Sequence, residues 1–282
     1  MAEDAIASLA PLAADVRAQD PDRYLATLFA PPETRDALFA LYAFNHEIAK
    51  VRWMVREPMV GLIRLQWWRD ALDGIDRNDV LAHPVVQGLH RAISVRGLER
   101  AGLDLAIDAR EQELEAPPPA DLPALERHLA ATSGTVVRAA LSILGERETS
   151  TLGIGDLVGS VLGLLELSRW LGREDCLERA ERTLWLPKAW LAEHDLEVEG
   201  LGEAEKLAKI RAVQARLSGL ARDHLAIARK DRPAGGARGH LSAFFPATLA
   251  ETRFRDLAKA SKRPAAASAP IRLVWCWLRN RF

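Results

Sequence analysis

The stretch ETRDALFALYAFNHEIAKVRWMVRE, residues 33–57, limits what this chain can fold into more than any other segment. Ala37, Leu41, Phe44, Ile48, Val51 and Val55 recur at spacings of four and three, the period at which a helix presents one apolar face. A half-buried strand needs alternation at a period of two, which this segment does not have. The spacing predicts a helix that starts near Thr34, with Glu33 and Asp36 favourable at its positive N-terminal end. GLIRLQWWRDAL extends the logic through Leu65, Trp68, Leu72 and Ile75. There the tryptophan pair Trp67 and Trp68 is read as core, and Arg64 and Arg69 as solvated or ion-paired.

A third segment, GDLVGSVLGLLELSRWLGRED, carries Gly155, Gly159 and Gly163 at intervals of four, so they line one stripe. Glycine inside a helix costs roughly 1 kcal/mol against alanine. Three on one face predict close approach of a neighbouring helix and place this segment at the centre of the bundle. Composition supports the same class, because alanine, leucine, arginine and glutamate dominate while isoleucine, threonine and tyrosine are sparse. Breaks rich in proline or glycine at APPPAD (116–121), DRPAGGARGH (231–240) and KRPAAASAP (262–270) read as loops too short to separate domains. The expectation is one all-α domain over residues 1–282 with about nine to eleven helices. Residues 1–20 are read as an N-terminal extension and residues 263–282 as a C-terminal helix.

The net charge of −1 gives no bulk attraction to nucleic acid or an anionic membrane, and no nucleic-acid partner is expected. Cys176 and Cys276 are far apart and read as thiols of a reducing compartment. The N-terminal MAEDAIASLAPLAADVR is acidic where a signal peptide is basic. The longest apolar candidate, LVGSVLGLLEL, already contains a charge and falls short of the roughly 18 residues a span requires. A cytoplasmic protein is expected, with a peripheral contact at the inner membrane face as the variant. The C-terminal IRLVWCWLRNRF leaves two readings open. It docks on the bundle through Val274, Trp275 and Leu278, or it presents Trp275, Trp277 and Phe282 with Arg272, Arg279 and Arg281 to a membrane surface.

Chemical motifs are sparse. HEIAK (46–50) spells the start of HExxH, but position 50 is lysine, so the second zinc ligand is missing. There is no Walker loop and no GxGxxG, and TSGTV (132–136) lacks the nucleophile-elbow pattern. What remains is a pair of helical stripes. Tyr42, His46, Ala49 and Trp53 share one face of the first helix, with Lys50 adjoining, and Glu166, Arg169 and Arg173 share one face of the glycine-striped helix. Either Glu166 pairs with Arg169 and both reach solvent, or the group lines an internal polar cavity, since charge on a central helix is costly to bury unpaired.

DRYLATLFAPPETRDALFALYAF, the later GLLELSRWL and the downstream RTLWLPKAWLAEHDL resemble, in that order, the squalene/phytoene synthase family, from about Asp22 to Leu220 with a weaker continuation. The resemblance implies an all-α, single-domain isoprenoid-synthase-like bundle around a central cavity. In that family two aspartate-rich motifs on facing helices hold magnesium, whose charge assists departure of diphosphate when two prenyl chains join head to head. Counted from ALYAF, the first motif falls on Ala49, Lys50 and Trp53; counted from GLLELSRWL, the second falls on Arg173 and Leu177. Glu174, Asp175 and Glu178 lie near but out of helical phase.

Both metal motifs are therefore degenerate, and two positions carry the opposite charge. AFNHEIAKVR followed by EPMVGLIRLQWWRDAL is similar to the branch of complex I assembly factor 6 and its bacterial relatives, which keeps the fold without the aspartate motifs. That resemblance implies a non-catalytic protein without cofactor or metal, working with respiratory complex I subunits or assembly intermediates. Two alternatives stay open. One is an active prenyl-diphosphate transferase on farnesyl or geranylgeranyl diphosphate, with Mg2+ on unconventional ligands. The other is a metal-free site in which Tyr42, His46, Lys50, Arg52, Glu166, Arg169 and Arg173 line a cavity and the cations bind a phosphorylated ligand, a prenyl diphosphate or a lipid.

Overall fold

The helix anticipated from the 33–57 seam is present. In the computed structural model, which describes residues 10–172, 185–193, 203–232, 240–258 and 269–282, a 3-10 turn at Pro32–Thr34 leads into a 20-residue helix, Arg35–Met54. The Thr34 hydroxyl donates to the Pro31 carbonyl at 2.8 Å, and Asp36 sits in the first helical turn. Ala37, Leu41, Phe44, Ile48 and Val51 are buried along one side.

Thirteen α-helices and no strand occur among the described residues. In chain order they are α1 Ala10–Gln19, α2 Pro21–Thr27, α3 Arg35–Met54, α4 Pro58–Asp76, α5 Pro84–Arg96, α6 Arg100–Glu115, α7 Leu122–Leu129, α8 Thr135–Ile143, α9 Thr149–Leu171, α10 Lys188–Glu193, α11 Glu203–Asp231, α12 Leu241–Ala258 and α13 Ala269–Leu278. The count exceeds nine to eleven because short elements interrupt the long ones. Asp20 accepts the Arg23 N–H at 3.0 Å and caps α2 directly after α1, and a π-helical turn, Ala130–Gly134, separates α7 from α8. Residues 10–19 are not a mere extension, since Leu12 and Val16 of α1 are buried in the core beside α3.

Two helices organise the rest. α3 packs against α1, α5, α6 and α8, and α9 packs against α8, α11, α12 and the π turn. The glycine stripe of α9 does what its spacing predicts. A Cβ on Gly159 would lie 2.3 Å from Gly134 Cα, and one on Gly163 would lie 2.6 Å from the Leu129 side chain. Backbone-to-backbone approach of this kind admits no larger residue. By length and composition α9 could cross a membrane, which the short apolar stretch at its centre did not suggest, yet more than half of its apolar window is buried inside the bundle.

Two sequence expectations need correction. Trp68 is core, packed edge-on against Phe44 at 5.3 Å, but its neighbour Trp67 is 40% exposed, because a helix points consecutive residues about 100° apart. Helix α13 does dock, although not through Val274, Trp275 and Leu278. Ala269 and Leu273 are its buried residues, Phe282 beyond it is buried against Phe244, and Arg229 Nε donates to the Phe282 carbonyl at 2.7 Å. The opposite face, with Ile271 at 73% and Trp275 at 55% exposure beside Val274 and Leu278, is left to solvent. A second exposed apolar group, Met54, Met59, Val60 and Ile63, spans the α3–α4 junction.

Candidate functional site

Helix α3 carries the positions at which the sequence resemblance expects metal ligands, and it presents them towards α9. Ala49 is buried, and the Trp53 indole stacks on Trp170 of α9 with ring centroids 4.7 Å apart and planes 22° from parallel. The residue of α9 facing Trp53 is therefore Trp170, one turn before Arg173. Arg173 and Leu177, with Glu174, Asp175, Glu178 and Cys176, lie outside the described residues.

Arg52 lines the same small pocket as Trp53. It is buried, and its guanidinium lies 5.0 Å from the Trp53 ring and 5.3 Å from the Trp185 ring. Burial pulls its pKa down to about 10, with Arg110 adding to that and Glu113 and Glu166 opposing it. Its surroundings come from α6, α7 and α9. Arg110 Nη1 donates to Glu113 Oε1 at 2.8 Å, His128 Nε2 lies 2.8 Å from the same oxygen, and Arg110 Nη2 is 3.8 Å from Glu166 Oε2.

Burial alone would raise the Glu113 pKa, but Arg110, the His128 hydrogen bond and Arg52 outweigh it and hold the carboxyl at about 2. A carboxylate only accepts, so Nε2 of His128 is the donor in this contact, and its Nδ1 has no hydrogen-bond partner among the described residues. The pocket that these groups line with Thr132, Ser133 and Gly163 has a volume of about 20 Å³. That is room for about one water, not for a prenyl chain.

The other candidate cations are already engaged. Lys50 pairs with Glu47 one helical turn earlier. Arg169 does not pair with Glu166; its Nη2 donates to Asp22 Oδ2 at 3.1 Å. Asp22 is buried and also accepts Nε and Nη2 of Arg253 at 3.0 and 2.6 Å, a bidentate clamp that raises the Arg253 pKa. Tyr42 is buried beneath Arg23, whose guanidinium is 5.2 Å from its ring, and burial pushes its phenol up to about 12. His46 is partly buried, and burial together with Lys50 lowers its pKa. Of the seven-residue set, Arg52 and Glu166 meet in one pocket, while Tyr42, Lys50 and Arg169 belong to separate contacts.

Sequence reasoning missed Arg110, Glu113, His128, Asp22, Arg253 and Trp170. Arg110 and Glu113, at i and i+3 of a charged helix, read as an ordinary surface pair. The Asp22–Arg253 contact joins residues 231 apart in sequence, and nothing local marks it. Trp170 carries a legible signal, since it lies on the same helix as Glu166 and Arg169.

A magnesium ion needs hard oxygen ligands. Ala49, Lys50 and Trp53 offer a methyl group, an ammonium and an indole, and the chemistry of this set does not fit the ion. Among the described residues no group of three or more His, Cys, Asp or Glu side chains is arranged to hold a metal.

The chain resembles known proteins along most of its length. It is 30% identical over 154 residues to NADH dehydrogenase (ubiquinone) complex I, assembly factor 6 of Bos taurus, covering 55% of this chain and 46% of that protein. It is 26% identical over 248 residues to the protein of the same name from Mus musculus, covering 88% and 72%. The chain thus spans about half the length of the first of these curated relatives. Among solved structures, a dehydrosqualene synthase in complex with ligand superposes with a TM-score of 0.71 at 14% identity, covering 99% of this chain and 98% of that one. Squalene synthase HpnC from Alicyclobacillus acidocaldarius gives 0.68 at 14% identity, covering 92% and 95%. At that identity the likeness establishes the fold, which is the isoprenoid-synthase-like bundle expected from the sequence. The squalene/phytoene synthase profile matches residues 16–277, and the chain belongs to that family.

Proposed function

We propose that this protein is a non-catalytic member of the squalene/phytoene synthase family that acts as an assembly factor for a complex I-type NADH dehydrogenase. The observation that carries the reading is the Trp53–Trp170 stack. It fills the α3–α9 interface at a position where the family's chemistry calls for carboxylates. Beside it, Arg52 and Arg110 face the carboxylates Glu113 and Glu166 around about 20 Å³ of space. No diphosphate can enter without breaking buried ion pairs. The relatives named as complex I assembly factors support the role, and the reading needs neither magnesium nor a prenyl substrate.

The exposed apolar faces supply the working surfaces of such a factor. Met54, Met59, Val60 and Ile63 form an adaptable patch suited to a protein partner. Ile271, Val274, Trp275 and Leu278, with the Arg279 guanidinium 3.9 Å from the Trp275 ring, suit a peripheral contact with an anionic membrane surface on the cytoplasmic side.

The decisive experiment has two arms. Purified protein incubated with farnesyl or geranylgeranyl diphosphate and magnesium is expected to release no pyrophosphate and form no head-to-head product; coupled release and product would overturn the non-catalytic reading. Deletion of the gene is expected to lower assembled NADH dehydrogenase in membranes. The wild-type gene should restore it and Ile63→Glu should not. Full assembly in the deletion strain would overturn the assembly role.

A further inference from the structure

The side of α9 turned away from α3 borders a second and larger cavity, of about 420 Å³, between α9, α11 and α12. This volume lies in the range of small-molecule sites, roughly 300–1,000 Å³. Its floor is apolar: Val161 of α9, Ala221 and Leu225 of α11 and Phe254 of α12 line it, and all four are buried. Gln214 stitches the floor together by donating Nε2 to the Ser168 carbonyl of α9 at 2.8 Å.

The rim is cationic. Arg211 and Arg222 stand eleven residues apart on α11, three helical turns along one face, and Arg255 faces them from α12. All three are exposed, and none has a carboxylate partner among the described residues. Arg222 Nε is steadied by the Ser218 carbonyl of its own helix at 3.3 Å. Among the described residues the acidic group lining the cavity, Glu251, is already matched, since it accepts from Arg229 at 2.9 Å and Arg272 at 2.5 Å.

Three guanidinia without a carboxylate partner among the described residues thus line one preformed cavity with an apolar floor. An apolar floor rewards an alkyl chain, and the guanidinium rim rewards an oxyanion. A neutral lipid would leave the rim unused, and a free anion would leave the floor unused. We propose that the α9–α11–α12 cavity is a binding site for a single-chain anionic amphiphile, an alkyl carboxylate or an alkyl phosphate monoester. The site shares no lining residue with the α3–α9 pocket and stands whether or not the protein is catalytic.

The test is calorimetric titration of the full chain with octyl phosphate, octanoate, octanol and inorganic phosphate, each below any micellar concentration. One octyl phosphate or octanoate is expected to bind per chain, at least tenfold tighter than octanol or inorganic phosphate. Whichever of the two binds better identifies the head group. Arg211→Ala/Arg255→Ala, which changes only exposed side chains, should weaken binding at least tenfold. Ala215→Trp, an exposed position on the cavity wall, should abolish it by filling the space while circular dichroism stays unchanged. Octanol or inorganic phosphate binding as tightly as octyl phosphate would overturn the proposal. So would undiminished binding in folded Ala215→Trp, or the absence of binding by either amphiphile.

Discussion

On the side of α9 that faces α3, charge is buried and matched: Arg110 with Glu113 and Glu166, His128 with Glu113, and a tryptophan pair closing the interface beside about 20 Å³ of free space. On the side that faces α11 and α12, three exposed arginines have no carboxylate partner among the described residues, and about 420 Å³ stays open over an apolar floor. The same helix thus separates a filled site from an open one. Buried charges are tolerated only with partners in place, because the low-dielectric interior makes each loss costly. Exposed arginines carry no such requirement and stay available to a ligand.

The filled side should be where mutation hurts most. Arg110→Met leaves Glu113 buried with weakened compensation, and about 3–5 kcal/mol of stability should be lost on denaturant unfolding. Pairing it with Glu113→Leu should recover only part of that loss, because Arg52 is then left buried with Glu166 as its counter-charge. Gly159→Ala drives a methyl group into the Gly134 backbone and is expected to cost about 3 kcal/mol, read as a fall in Tm. Trp53→Ala should cost about 2 kcal/mol, below the ~3–5 kcal/mol of a fully buried tryptophan, because Trp53 is only partly buried.

Acid titration sharpens the contrast further. Glu113 has a folded pKa of about 2 against an ordinary value of 4.5, so its contribution is fully present above 4.5 and is lost as the pH falls towards 2. Glu113→Gln should flatten the stability profile across that window, measured by unfolding at a series of pH values. The open side should respond least. Arg211→Ala or Arg222→Ala should shift stability by no more than about 0.5 kcal/mol, and a larger loss would show that these cations are structural rather than available.

Much of the α3–α9 arrangement was legible in the residues. The seam from Ala37 to Val51 specified the helix and its buried face, and the Gly155–Gly159–Gly163 stripe specified close packing. Both are local periodicities, and helix geometry alone turns them into faces. The absence of metal-binding chemistry at Ala49, Lys50 and Trp53 was also readable, since it depends only on side-chain identity. Which residue of α9 stands opposite Trp53 was not legible, because facing positions on two helices depend on their crossing and offset, and the structure sets Trp170 there. The docking face of α13 was misread for a related reason. Its apolar residues ring the helix, so periodicity could not choose between Leu273 and Trp275 as the buried side.

By itself the sequence determined an all-helical chain, its two central helices and the absence of carboxylates at Ala49, Lys50 and Trp53, because each of these follows from residue type and spacing along one element. Only the tertiary structure decided which charges meet. Asp22 finds Arg169 and Arg253, Arg110 finds Glu113 and Glu166, and Arg211, Arg222 and Arg255 find no carboxylate among the described residues. Those pairings depend on how separate helices cross, and a charge carries no mark in the sequence of the distant partner that will neutralise it.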